Sequence, residues 1–129
     1  MDHRMSNTEV GTMGETLAVR YLKSKGFSIL AKNFNIPGVG EIDIIAHCDG
    51  TFHFVEVKSS YSFSLNSEYH SSRNFDDAKK QRIARVMRKY CDLYKIDSPR
   101  TVSLCVISFS RETYDARVFF DPFVLVDTI

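Results

Sequence analysis

The stretch Glu41-Ile42-Asp43-Ile44-Ile45-Ala46-His47-Cys48-Asp49-Gly50-Thr51-Phe52-His53-Phe54-Val55-Glu56-Val57-Lys58 decides how this chain folds. Asp49-Gly50 separates two β-type runs, 41–48 and 51–58, and is a strong hairpin signal because both turn residues must take positive φ. A two-residue turn pairs Cys48 with Thr51. Counting back along both strands then pairs Asp43 with Glu56 and Glu41 with Lys58. Paired residues share a face and side chains alternate along a strand, so Glu41, Asp43, Glu56 and Lys58 converge on one face. Ile42, Ile44 and Ala46, with Val55 and Val57, read as core.

Directly opposed strand residues have Cβ atoms roughly 4.5 to 5.5 Å apart, so Asp43 and Glu56 can hold one cation between them and repel strongly without one. Lys58 offsets only part of that charge. Mg²⁺ or Mn²⁺ suits the position: each prefers oxygen ligands, accepts one or two carboxylates and keeps several waters for chemistry. A structural reading stands beside this one, with Glu41 and Lys58 as a cross-strand ion pair and Asp43 and Glu56 lining a solvated face. A one-residue slip in register would turn one strand's set away from the other.

Upstream, Val10, Met13, Leu17, Tyr21 and Leu22, with Gly14 and Ala18 between them, recur at helical spacing over 10–25. Thr8 is the candidate N-cap, and Gly26 is the expected left-handed stop, followed by Phe27. A first strand spans 27–34, and Pro37-Gly38-Val39-Gly40 turns the chain into the second. Downstream, 59–72 holds seven serines and reads as a mobile loop. Asn74 can cap a second helix whose buried stripe is Ile83, Val86, Met87, Tyr90 and Tyr94, with Asp76 and Asp77 in its first turn and Pro99 beyond its end. Two more strands follow at 101–109 and 116–120, joined around 111–115. The order αβββαββ predicts an α/β domain, a mixed sheet flanked by helices, with 1–129 as a single domain.

The 129 residues carry a formal charge of +1, which neither favours nor excludes a polyanion partner, so any electrostatic footprint is local. The second helix concentrates one: Lys79, Lys80, Arg82, Arg85, Arg88, Lys89 and Lys95 stand against Asp76, Asp77 and Asp92, a stripe that can follow a phosphate backbone or simply face solvent. Cys48, Cys91 and Cys105 match neither a zinc pattern nor a disulfide framework and read as reduced core residues. Without a signal-peptide stretch or a membrane span, the chain is expected in the cytoplasm with no membrane partner. His3, His47, His53 and His70 lack metal-ligand spacing and read as bystanders. Glu15 is functional only if its helix reaches the acidic end of the sheet; otherwise it is a solvated helix residue.

Gly14-Glu15, Ala18, Tyr21-Leu22, Gly26 and Asn33, then Gly40 to Ala46, then Phe54 to Lys58 resemble the YraN-like family of uncharacterised bacterial proteins over most of the chain. That family is similar to archaeal Holliday-junction resolvases and to the wider PD-(D/E)XK nuclease superfamily, so the resemblance implies a restriction-endonuclease-like core. It implies Asp43 and Glu56 as metal ligands, the carbonyl of Val57 as a further ligand, Lys58 as the group that orients or activates water, and Glu15 as an auxiliary acid. It also implies that Lys79, Lys80 and Gln81 lie near the substrate phosphate, with Arg82 beside them. The chain departs from the family pattern at Phe34-Asn35, where the family has an Arg after the Asn that ends the first strand, and at Ser103, where the family has an Asp early in the fourth strand.

The function expected is therefore a Mg²⁺- or Mn²⁺-dependent phosphodiester hydrolase acting on DNA, branched or junction DNA by analogy, with a resolvase-like homodimer also implied by analogy. The alternative is a nucleic-acid-binding protein of the same fold without efficient turnover.

Overall fold

The computed structural model describes residues 6–62, 75–110, 113 and 115–127. Its elements follow the expected order: α1 (Asn7–Ser24), β1 (Ser28–Ile36), β2 (Gly40–Cys48), β3 (Thr51–Ser62), α2 (Asp77–Leu93), β4 (Arg100–Ser110) and β5 (Ala116–Asp127). The strands form one sheet in the order β1-β2-β3-β4-β5. Neighbours run antiparallel except β3 and β4, which are parallel. A parallel pair needs a long crossover, and α2 lies within it. The architecture is a mixed α/β fold.

Ser6, rather than Thr8, caps α1: its hydroxyl accepts from Glu9 N at 3.1 Å while the Glu9 carboxylate accepts from Ser6 N at 3.3 Å. This capping box satisfies two otherwise orphaned donors. The buried ridge is Val10, Gly14, Ala18 and Leu22, spaced four apart and small in its middle, whereas Met13 is 48% exposed. Periodicity by size alone favoured Met13; close approach of helix to sheet favours the smaller side chains. At the C-terminus Gly26 takes φ +91°, and Phe27 N donates to Leu22 O while Gly26 N donates to Lys23 O. These are the two bonds of a Schellman stop.

Two cores form, one on each face of the sheet. Ile42, Ile45, Phe54, Val102, Leu104 and Val106 pack with Ile83, Val86 and Met87 of α2, whereas Ile44, Ala46, Val55, Cys105 and Ile107 pack with Val10, Ala18 and Leu22 of α1. Cys91 and Cys105 are buried, Cys48 is half-buried, and all three are free. Among the described residues no helix is long and apolar enough to cross a membrane.

The elements depart from sequence expectation elsewhere too: Tyr94, expected in the buried stripe of α2, is 59% exposed. β3 continues through Ser62, pairing Ser59 with Ile107 and Ser62 with Ser110, because the almost wholly buried β4 supplies a ladder that serine's weak strand preference does not suggest. The rest of the serine-rich segment, 63–72, and the Asn74 cap fall outside the described residues, as do His3 and His70; Asp76 is the observed cap, accepting from Lys79 N at 2.9 Å. β5 runs through Pro122 to Asp127, with a register shift opposite Val102 and Leu104. An edge strand tolerates proline at such an irregularity because no ladder donor is needed there.

Candidate acidic site between β2 and β3

Asp49 and Gly50 have φ +48° and +79°, and the register set by that turn holds from Cys48↔Thr51 to Ile44↔Val55. There the recorded ladder stops. One step further, Val57 N–H donates to Oδ2 of Asp43 at 2.8 Å, so a side chain takes the place of a main-chain acceptor. On the other flank Asn33 has φ +50°, between the pairs Lys32↔Ile44 and Phe34↔Ile42. Asn adopts this left-handed conformation more readily than most residues. Ile42 and Ile44 would share a face in a regular strand, yet they enter different cores. β2 therefore turns over at Asp43, correcting the expectation that Ile42 lies with Ile44 and Ala46.

The Asp43 carboxyl is held well above the usual carboxylate range, first by burial and then by a hydrogen bond to Glu56 and by its charge; Val57 N–H and Lys58 oppose this without cancelling it. Two carboxylates can hydrogen-bond each other only if one carries a proton, so the pair on its own shares a proton where a cation could serve instead. Lys58 Nζ lies 3.9 Å from Glu56 Oε2, the two side chains being 27% and 13% exposed. Its ion-pair partner is Glu56 and not Glu41. Glu41 is exposed, since the ladder ends before it is held opposite Lys58.

Gly14 brings α1 onto this end of β3. A Cβ built on it would lie 2.9 Å from Ser59 Cβ and still closer to Oγ, a separation real atoms do not sustain. Glu15, the next residue, is consequently half-buried. Its carboxyl is raised by burial and by the charges of Asp43 and Glu41, against an Asn33 side-chain hydrogen bond and the charge of Lys32. Glu15 thus stands in the field of Asp43, which itself neighbours Glu56 and Lys58. Among the described residues no group of three or more His, Cys, Asp or Glu side chains is placed to hold a metal ion. Two carboxylates with water suit Mg²⁺ or Mn²⁺, which seldom take an all-protein shell.

The α2 residues lie to one side. Lys79 and Lys80 are half-buried while Gln81 and Arg82 are exposed. Lys80 pairs with Asp77 at 3.9 Å, and the stem of Arg82 lies against Gly40, 3.5 Å from a Cβ built there. Arg82 therefore borders the start of β2, next to Glu41.

Asn33 and Lys32 were given no role by spacing; an Asn within a β-type run, suited to positive φ, was the available signal. His53 is also more than a bystander. It is 3% exposed, its Nδ1 lies 2.9 Å from Ser103 Oγ, and the Phe27, Phe120 and Phe123 rings surround it. Ser103 donates its one hydroxyl proton to Pro122 O at 2.8 Å, so His53 Nδ1 is the donor to Ser103. Burial above all, then the charge of His47, lowers the His53 pKa to about 4 against a hydrogen bond to the Pro122 carbonyl.

Fold and site together define a class: mixed α/β proteins in which an acidic cluster with a neighbouring lysine sits where two strands of the sheet stop pairing. The chain belongs to the uncharacterised protein family UPF0102, whose profile matches residues 14–117. It is 40% identical over 90 residues to a UPF0102 protein of Clostridium perfringens, covering 70% of each chain. With a UPF0102 protein of Campylobacter fetus it shares 34% over 110 residues, 85% of this chain and 93% of that one.

Proposed function

We propose that this protein is a Mg²⁺- or Mn²⁺-dependent phosphodiester hydrolase of the PD-(D/E)XK nuclease kind, acting on DNA and, by analogy alone, on branched or junction DNA. The observation that carries the reading is the Asp43–Glu56 pair: two partly desolvated carboxylates in contact, one anchored by Val57 N–H, with Lys58 alongside. Like charges so placed weaken the strands that hold them, and a divalent cation relieves that cost. Asp43, Glu56 and the Val57 carbonyl would hold the cation, which would supply charge stabilisation at the scissile phosphate. Lys58 presents a point charge on a flexible stem, suited to orienting water and stabilising developing negative charge. Glu15, beside Asn33, would close the site on the α1 side.

The test is a cleavage assay with Mg²⁺ or Mn²⁺ over duplex, single-stranded, flap and four-way-junction DNA, with Mn²⁺ calorimetry in parallel. Metal uptake with cleavage of any of these substrates supports the proposal. Metal uptake and DNA binding with no product would instead favour a binding protein without turnover, and no metal uptake would remove both readings.

A further inference from the structure

We infer that the groove between α1 and β1 carries the phosphodiester backbone next to the bond cleaved at the acidic cluster, an inference that rests on the nuclease reading above. The groove encloses about 380 Å³ and is lined by Thr12, Glu15, Thr16, Arg20, Lys32 and Asn33, among others. It continues along α1 into a recess of about 400 Å³ that shares Thr12 and Thr16 and adds Thr8, Met13 and Glu9, whose carboxylate is engaged by Ser6 N–H at the helix start. Glu15 and Asn33 belong both to this groove and to the edge of the cluster. A chain lying in the groove therefore reaches Glu15, in the field of Asp43, at its inner end.

The walls suit phosphate. Arg20 and Lys32 are exposed, and neither makes an ion pair among the described residues; Lys80 of α2, by contrast, has Asp77. The acid in the inner recess is Glu15, which lies beside Asn33 in the fields of Asp43 and Glu41, and part of whose charge Lys32 offsets. Thr8, Thr12, Thr16 and Arg20 recur every four residues and so form one line on the helix. At 1.5 Å per residue that line is about 18 Å long. A strand of nucleic acid carries one phosphate per ~3.4 Å of helix axis, so a track this long matches several phosphates and exceeds what a single phosphate group needs. Met13, at 48% exposure, offers apolar surface for a sugar or base beside it.

The experiment measures binding of fluorescein-labelled single-stranded and duplex oligonucleotides to the full chain in EDTA, by anisotropy across a salt series, for wild type and for Arg20→Ala with Lys32→Ala. The expected result is at least a tenfold loss of affinity at low salt. The slope of log affinity against log salt should fall by about 1.4 to 1.8, the value for two lost phosphate contacts. Calorimetric Mn²⁺ uptake and the melting temperature should stay at wild-type values, since both side chains are exposed and neither is a proposed metal ligand. Arg20→Glu with Lys32→Glu should weaken binding further, and Arg20→Lys with Lys32→Arg should retain most of it. Wild-type affinity and slope in the double alanine variant would overturn the groove assignment while leaving the nuclease reading intact. A wild-type protein that takes up Mn²⁺ yet binds no oligonucleotide would overturn both.

Discussion

Val57 N–H donates to the carboxylate of Asp43 at 2.8 Å, just beyond the last recorded β2–β3 pair, Ile44↔Val55. The bond fixes one carboxylate oxygen of Asp43 and leaves the other facing Glu56. The most informative variants separate that anchoring role from the role of its charge.

Asp43→Asn keeps an acceptor for Val57 N–H and gains an amide donor toward Glu56 while losing the charge. Calorimetric Mn²⁺ affinity should drop at least tenfold. Melting in EDTA should stay level or rise by about 3 °C, the equivalent of roughly 1 kcal/mol in a chain of this size. Unchanged Mn²⁺ uptake with a lower melting temperature would make Asp43 a purely structural residue.

Lys58→Ala should reduce single-turnover cleavage about 10²- to 10³-fold, the usual effect of removing one preorganised electrostatic group. The ion pair with Glu56 is long, at 3.9 Å, so stability should change by ~1 kcal/mol or less. Cleavage at the wild-type rate in a protein that melts several degrees lower would reverse those roles.

Lys79→Ala with Lys80→Ala tests the opposite face of the sheet. If α2 also follows the DNA backbone, the slope of log affinity against log salt falls by roughly 0.9 for each lost duplex phosphate contact. A normal slope in this variant, beside a reduced one for Arg20 and Lys32, would leave α1 as the main track.

Gly14→Ala sets two effects against each other. Alanine favours a helix over glycine by about 1 kcal/mol, whereas forcing a Cβ against Ser59 costs typically 1 to 3 kcal/mol. Net destabilisation is expected in wild type, and Ser59→Gly in the same chain should cancel or invert it. A double-mutant cycle by thermal denaturation reads the coupling; independence of the two sites would mean that α1 adjusts freely and does not fix Glu15.

His53 makes stability pH-dependent. Its folded pKa of about 4 lies below the ordinary 6.5, so the unfolded chain binds the proton more readily. Its contribution is fully present above pH 6.5 and is lost as pH falls toward 4, amounting to about 3 kcal/mol across that window. His53→Gln should melt lower at pH 8 yet decline less steeply on acidification. Parallel declines for the two proteins would show that other groups govern the acid limb.

The local sequence determined the helix stop at Gly26, the Asp49-Gly50 hairpin with its register from Cys48↔Thr51 to Ile44↔Val55, and the element order. Those features depend on φ preferences and on alternation within a few residues, which neighbours in the chain suffice to set. Tertiary structure decided that the ladder ends after Ile44↔Val55, that Lys58 pairs with Glu56 rather than Glu41, and that Ile42 and Ile44 part company. It also decided that β3 runs on into the serines, that β5 passes through Pro122, and that Glu15 joins the cluster while Met13 stays outside the core. Each of these turns on which atoms distant segments bring together: Gly14 against Ser59, Asn33 beside Glu15, and β4 beside the end of β3. Burial and the electrostatic environment of a carboxylate are properties of that assembled neighbourhood, and the spacing of residues along the chain does not encode them.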